Sequence, residues 1–145
     1  MYFLYNVLGL IVIIFSPIII LFRIIYGKED PKRFVEKFCV YKKIPQIKKT
    51  VWIHGASLGE ILSIIPIVKE LEKNKKITKI LITSSTTSSA HTISKYKFKK
   101  TIHRFFPIDV NFITVKFIKI WNPQVAIFVD SEIWPNMYKN LHYNK

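Results

Sequence analysis

With 145 residues the chain has room for one domain of ordinary size plus a short appendage. Half of the residues are hydrophobic, most densely in the first two dozen positions, and 23 basic against 9 acidic side chains give a formal charge of +14. That balance favours anionic partners such as acidic lipid, phosphorylated substrate or nucleic acid, although drift toward lysine at surface positions is a second account of it. The single cysteine, Cys39, excludes an internal disulfide and fits a reducing compartment.

From Tyr2 to Phe22 no residue is charged, and Asn6 is the only strongly polar side chain. About 20 apolar residues suffice for a helix to cross roughly 30 Å of hydrocarbon. Gly9 and Pro17 are compatible with a membrane helix, and Tyr2, Tyr5 and Tyr26 suit the headgroup belts. A cleaved signal peptide needs a basic start and a small-residue cleavage site. Here nothing basic but the amino terminus precedes the run, and Leu21-Phe22-Arg23 is no such site. Residues 1–27 are therefore expected to be a retained anchor. Arg23, Lys28, Lys32 and Arg33 follow it, which keeps the remainder of the chain cytoplasmic and against anionic headgroups.

Residues 28–50 read as a basic connector. Pro31 to Val40 has the pattern of a short helix with Phe34, Val35 and Phe38 on one side, and Cys39 is expected to pack. Tyr41 to Thr50 is rich in lysine and interrupted by Pro45. An alternation then begins over residues 51–145. Strands are expected at Val51–His54, Ile80–Ile82, Ile102–Phe106 and Val125–Val129. Helices are expected from Ser57 to about Asn74, from the Ser/Thr run to Lys95, over Asn111–Ile120, and from Ile133 to about Leu141. Strand alternating with helix, the strands continuously apolar, predicts an α/β fold: one Rossmann-like domain on a parallel sheet covered on both faces.

Open parallel sheets bind ligands beyond the C-terminal ends of their strands. The segments expected there are Gly55-Ala56-Ser57-Leu58-Gly59-Glu60, Thr83 to Ser89, Pro107-Ile108-Asp109, and Asp130-Ser131-Glu132-Ile133-Trp134-Pro135-Asn136. All four bring hydroxyls or carboxylates to one rim. Gly55 and Gly59 lack the spacing of a dinucleotide fingerprint. Ser57 and Glu60 have the spacing of a capping box, and the helix dipole also holds a first-turn carboxylate ionised, as a general base must be. The Ser/Thr run reads equally as a helix cap or as hydroxyls offered to sugar or phosphate. Asp130 and Glu132 beside Trp134 have the composition of a carbohydrate site, and capping by Ser131 is the other account. His54 and His103 fall near strand ends, where a buried, hydrogen-bonded histidine is the expected reading. No Cys/His cluster has metal-ligand spacing, so neither a metal nor a cofactor is expected. Nucleic acid is not expected either, because arginine is scarce and the aromatics lie in apolar runs.

Four stretches together resemble one family, the 3-deoxy-D-manno-octulosonic acid (Kdo) transferases of lipopolysaccharide synthesis. Trp52 to Glu60 is similar to the family's W-I-H-x-x-S-x-G-E. Thr83 to Ser89 resembles its T-T-x-T-x-T-G loop, His103 to Asp109 its H-x-Y-x-P-x-D, and Asp130 to Asn136 its E-[ST]-E-L-W-P-N. The resemblance implies the N-terminal half of a GT-B glycosyltransferase at the cytoplasmic face of the inner membrane. It would move Kdo from CMP-Kdo to a phosphorylated lipid A precursor, lipid IVA. The family's proposed general base corresponds to Glu60, and the second Glu of its last motif to Glu132. Ser57, Gly59, Thr83, Ser84, Thr86, Ser88, Asp109, Asp130 and Ser131 would bind or support the acceptor. Ser89 stands where the family has Gly, and Asp130 where it has Glu. The donor-binding domain of such enzymes is the C-terminal one, so the resemblance assigns no residue here to CMP-Kdo. A non-catalytic, membrane-anchored module that binds the lipid A precursor is the alternative reading.

Overall fold

The apolar runs expected to be strands lie side by side in the computed structural model, which describes residues 2–44, 50–130 and 132–143. Strands β1 (Thr50–His54), β2 (Lys79–Ser84), β3 (Thr101–Phe105) and β4 (Pro123–Phe128) form one parallel sheet in the order β3-β2-β1-β4. Around them run α1 (Tyr2–Ile25), α2 (Leu58–Lys73), α3 (Thr87–Ser94), α4 (Asn111–Trp121) and α5 (Pro135–Tyr143). The strand order carries the functional consequence. From β1 the chain winds outward through β2 to β3, then returns to the other side of β1 for β4. The direction of winding reverses between β1 and β4, and the strand ends at such a reversal are where open parallel sheets hold ligands.

Alternating side chains of each strand feed two cores. Ile53, Ile80 and Ile82 pack on one face with Ile61, Ile64, Val68 and Ile93 of α2 and α3. Trp52 and Leu81 face the other way and pack with Phe106, Ile113, Phe117, Trp121 and Met137 around α4 and α5. Trp52 is fully buried, its ring 4.8 Å from that of Phe117 and 5.1 Å from that of Phe128. Strands β1 and β2 are thus covered on both faces, as their apolar runs require, while Val125 and Ile127 of the edge strand β4 stay exposed.

Helix α1 is long and apolar enough to cross a membrane by length and composition. One seam of it faces the domain: Ile13 packs against the Trp52 core, and Ser16 and Ile20 are buried.

The expected helix over Pro31–Val40 is a single 3-10 turn, Phe34–Phe38. It is started by Asp30, whose carboxylate accepts from the backbone N–H groups of Lys32 and Arg33, and stopped by Cys39 in the left-handed region at φ 55°. Its brevity has a cause. Glu36, 8% exposed, turns inward to accept the backbone N–H of Phe105 at 3.0 Å, so this segment closes the outer edge of β3. Arg33 grips the same carboxylate through both oxygens, at 3.0 and 2.9 Å. Glu29 is buried between Arg23 and Lys37. The described part of the basic segment is therefore fastened to the sheet through buried carboxylates.

Replacing Glu36 by Ala leaves an edge amide and a bidentate arginine without their acceptor. Glu36→Ala is expected to cost about 2–4 kcal/mol, less than the loss of a fully buried pair because Arg33 is partly exposed. Denaturant titration in detergent, followed by tryptophan fluorescence, reads that shift.

Candidate functional site

The turn leaving β1 carries the first carboxylate. Ser57 caps α2 with extended backbone, its Oγ accepting from the Glu60 N–H at 3.2 Å. Its hydroxyl donates to Glu60 Oε1 at 2.6 Å, and the Ala56 N–H donates to Glu60 Oε2 at 2.8 Å. This is a capping box with both carboxylate oxygens engaged, so Glu60 has one orientation on a partly exposed surface. Glycine at 55 permits it, since a β-carbon there would stand 3.2 Å from Glu60 Cβ. Gly59 is exposed, with nothing within 3.9 Å of where its β-carbon would be, and leaves the rim open beside Ser57.

The second carboxylate follows β4. Glu132 Oε2 accepts from Trp134 Nε1 at 3.0 Å and from His54 Nε2 at 2.9 Å. His54 is wholly buried, its ring 3.9 Å from that of Phe106. Beneath it, Trp52 Nε1 donates to Thr83 Oγ1 at 2.8 Å, and His54 Nδ1 lies 3.0 Å from that hydroxyl and 3.1 Å from the Thr83 carbonyl oxygen. One connected chain of polar contacts therefore runs from the middle of β1, through β2, to the carboxylate at the rim. Burial pushes the His54 pKa below its ordinary value, against the opposing pull of Glu132, Thr83 and Glu60. Both rim carboxylates thus act on one neutral imidazole at the sheet's reversal point.

The other expected site residues divide into surface and support. Thr83 and Ser84 are fully buried in β2, their hydroxyls committed to His54 and to His103 Nε2 (2.8 Å), so they act from underneath. Asp109 is also buried. Its carboxylate accepts from the backbone N–H groups of Asn136 and Met137 and from the Tyr5 hydroxyl, which makes it the N-terminal clasp of α5. Thr86 caps α3 through the Ser89 N–H, with Ser88 exposed beside it. Asp130 is exposed and left-handed at φ 67°. Ser131 lies outside the described residues.

The contacts of His54 and Trp134 with Glu132 are ones that motif spacing left unassigned. The parallel register was the available signal, because it sets His54 opposite Phe128, four residues before Glu132. His103 matches its expectation: Arg33 donates to Nδ1 at 3.1 Å, and burial, with the charges of Arg33 and Arg104, lowers its pKa to about 3. Among the described residues no three His, Cys, Asp or Glu side chains converge as a metal site.

A parallel α/β domain with two anchored carboxylates at the reversal point of its sheet belongs to the class that holds ligands at strand ends. Comparison with known proteins narrows that class. The family model described as "3-Deoxy-D-manno-octulosonic-acid transferase (kdotransferase)" matches residues 32–145. A 3-deoxy-D-manno-octulosonic acid transferase of Rickettsia bellii is 35% identical over 132 residues, covering 91% of this chain and 32% of the relative. A probable mitochondrial 3-deoxy-D-manno-octulosonic acid transferase of Arabidopsis thaliana is 30% identical over 125 residues, 84% of this chain and 28% of the relative. The Haemophilus influenzae transferase is 25% identical over 138 residues, 90% of this chain and 32% of the relative. The chain belongs to the Kdo transferase family. It spans about a third of the length of the curated relatives it matches.

The histidines give the domain an acid limit. Above pH 6.5 His103 is neutral in both folded and unfolded chain, so it leaves stability unchanged there. Below that, the unfolded chain takes up a proton that the folded one refuses until about pH 3, and stability falls through this window. Denaturation midpoints between pH 7 and 4 are expected to decline less steeply in His103→Gln than in the parent chain.

Proposed function

We propose that this chain is the acceptor side of a glycosyltransferase that moves Kdo from CMP-Kdo to lipid IVA, at the cytoplasmic face of the inner membrane. Family membership supports the reaction class. The observation that carries the reading is the single orientation of Glu60, held by Ser57 and the Ala56 amide in the turn that leaves β1, where the winding of the sheet reverses.

In this reading an acceptor sugar hydroxyl docks against Glu60. Its oxygen attacks the anomeric carbon of Kdo and forms the new glycosidic bond. The bond from that carbon to the CMP phosphate oxygen breaks with its electron pair leaving on CMP, and the hydroxyl proton passes to Glu60. Glu132, fixed by His54 and Trp134, orients the acceptor from the opposite lip. Ser57, Gly59, Thr86, Ser88 and Asp130 line the approach. Thr83, Ser84 and Asp109 hold the rim from below. Donor binding is assigned to the part of the family's length that this chain does not span. The cations after α1 meet the acceptor's phosphates and anionic membrane lipid.

Glu60→Gln tests the base. The amide keeps an acceptor for the Ala56 N–H but cannot take the proton. Transfer of labelled Kdo from CMP-Kdo to lipid IVA, assayed in the whole protein, is expected to fall about 10²- to 10⁴-fold in kcat with the fold intact. An unchanged rate would overturn the role given to Glu60.

A further inference from the structure

We infer that α1 lies along the membrane surface, wedged between the domain and the lipid, and does not cross the bilayer. The inference rests on contacts spread over the whole helix. At its start, the Tyr2 hydroxyl donates to Asn136 Oδ1 at 2.6 Å, Lys139 Nζ stands 4.0 Å above the Tyr2 ring, and the Tyr5 hydroxyl donates to Asp109 Oδ2 at 2.7 Å. In the middle, a β-carbon on Gly9 would stand 2.9 Å from Val110 Cγ2, and Ile13 packs on the Trp52 core. Toward its end Ile20 is buried, the 16–24 stretch forms an apolar groove with Phe34 and Phe38, and Arg23 Nε donates to Glu29 at 3.0 Å.

These anchor points run from residue 2 to residue 23, about 32 Å at 1.5 Å per residue. That is roughly the full hydrocarbon thickness. A crossing helix would carry Tyr2 to the far headgroups while Asn136, Lys139 and Asp109 stayed with the folded domain on the near side. The seating and the crossing are mutually exclusive.

Sequence and charge agree with the seating. Tyr5, Asn6, Gly9, Ile13, Ser16 and Ile20 recur at three- and four-residue spacing and are among the more buried positions of the helix. The polar and small side chains thus fall on one seam, toward the protein. The remaining surface, represented by Phe3, Leu8, Ile11, Phe15, Ile18 and Phe22, is exposed and wholly apolar. An interfacial helix ordinarily brings its own charged face; here the domain supplies it. Cations flank both ends, Lys139 beside Tyr2 and Arg23 with Lys28 at the other, at the level of anionic headgroups.

The proposal requires that the chain sit on a membrane but not that it transfer Kdo, so a disulfide test separates it from the catalytic reading. The Gly9 β-carbon would be 4.0 Å from Val110 Cβ, within the range of a disulfide. Gly9→Cys with Val110→Cys, in a Cys39→Ala background, is reconstituted in phosphatidylethanolamine–phosphatidylglycerol vesicles and oxidised. The full chain is expected to float with the vesicles and to cross-link as completely as in detergent. Nitroxide depth measurements at residues 8, 11, 15, 18 and 22, each changed singly to cysteine, are expected to give one shallow depth. Flotation without cross-linking, with depth greatest near residue 11, would overturn the inference in favour of a crossing helix. Failure to float would overturn it together with the membrane location.

Discussion

A neutral imidazole sealed at the end of β1 holds the site together. The wholly buried ring of His54 reaches Thr83 through Nδ1 on one side and donates from Nε2 to Glu132 on the other. A buried donor or acceptor left unmatched costs about 1–3 kcal/mol. Five side chains, Trp52, Thr83, His54, Glu132 and Trp134, therefore have to agree on one arrangement. The loop after β4 is positioned from beneath by the centre of the sheet, and the rim inherits the rigidity of the strands.

The same logic recurs at the periphery, where buried carboxylates act as fasteners. Glu36 satisfies an edge amide of β3, and Asp109 satisfies the first amides of α5. In a chain with so few acids, several are spent inside on backbone groups and arginines rather than on the surface. This raises the positive charge of the exterior beyond what total composition conveys. The basic surface and the buried fasteners are two sides of one allocation.

Much of this was legible in the sequence. Unbroken apolar runs separated by helical patterns gave the parallel sheet, because a strand covered on both faces has no polar alternation. The S-x-x-E spacing gave the Ser57–Glu60 box, since capping is a local contact within one turn. Strand ends shifted by a residue or two, as at β3 and β4, where pairing partners decide the boundary. The 3-10 turn at 34–38 was read as a longer helix because Glu36 is drawn inward to a strand 69 residues away, a contact that local spacing does not show. For the same reason the roles of Thr83, Ser84 and Asp109 as supports required three dimensions. A hydroxyl or carboxylate near a strand end looks alike in sequence whether it points outward or in.

The seat of α1 is assembled last. The partner of Tyr5 is 104 positions downstream and that of Tyr2 is 134. At roughly 5–20 residues per second of synthesis, about 5–20 s separate the emergence of Tyr5 from that of Asp109. During that interval the apolar helix has no protein to cover either of its sides. With α1 on lipid as proposed, the nascent chain is tethered before its sheet can close. The membrane would then serve as the surface on which the domain folds, with docking of α1 completing that process.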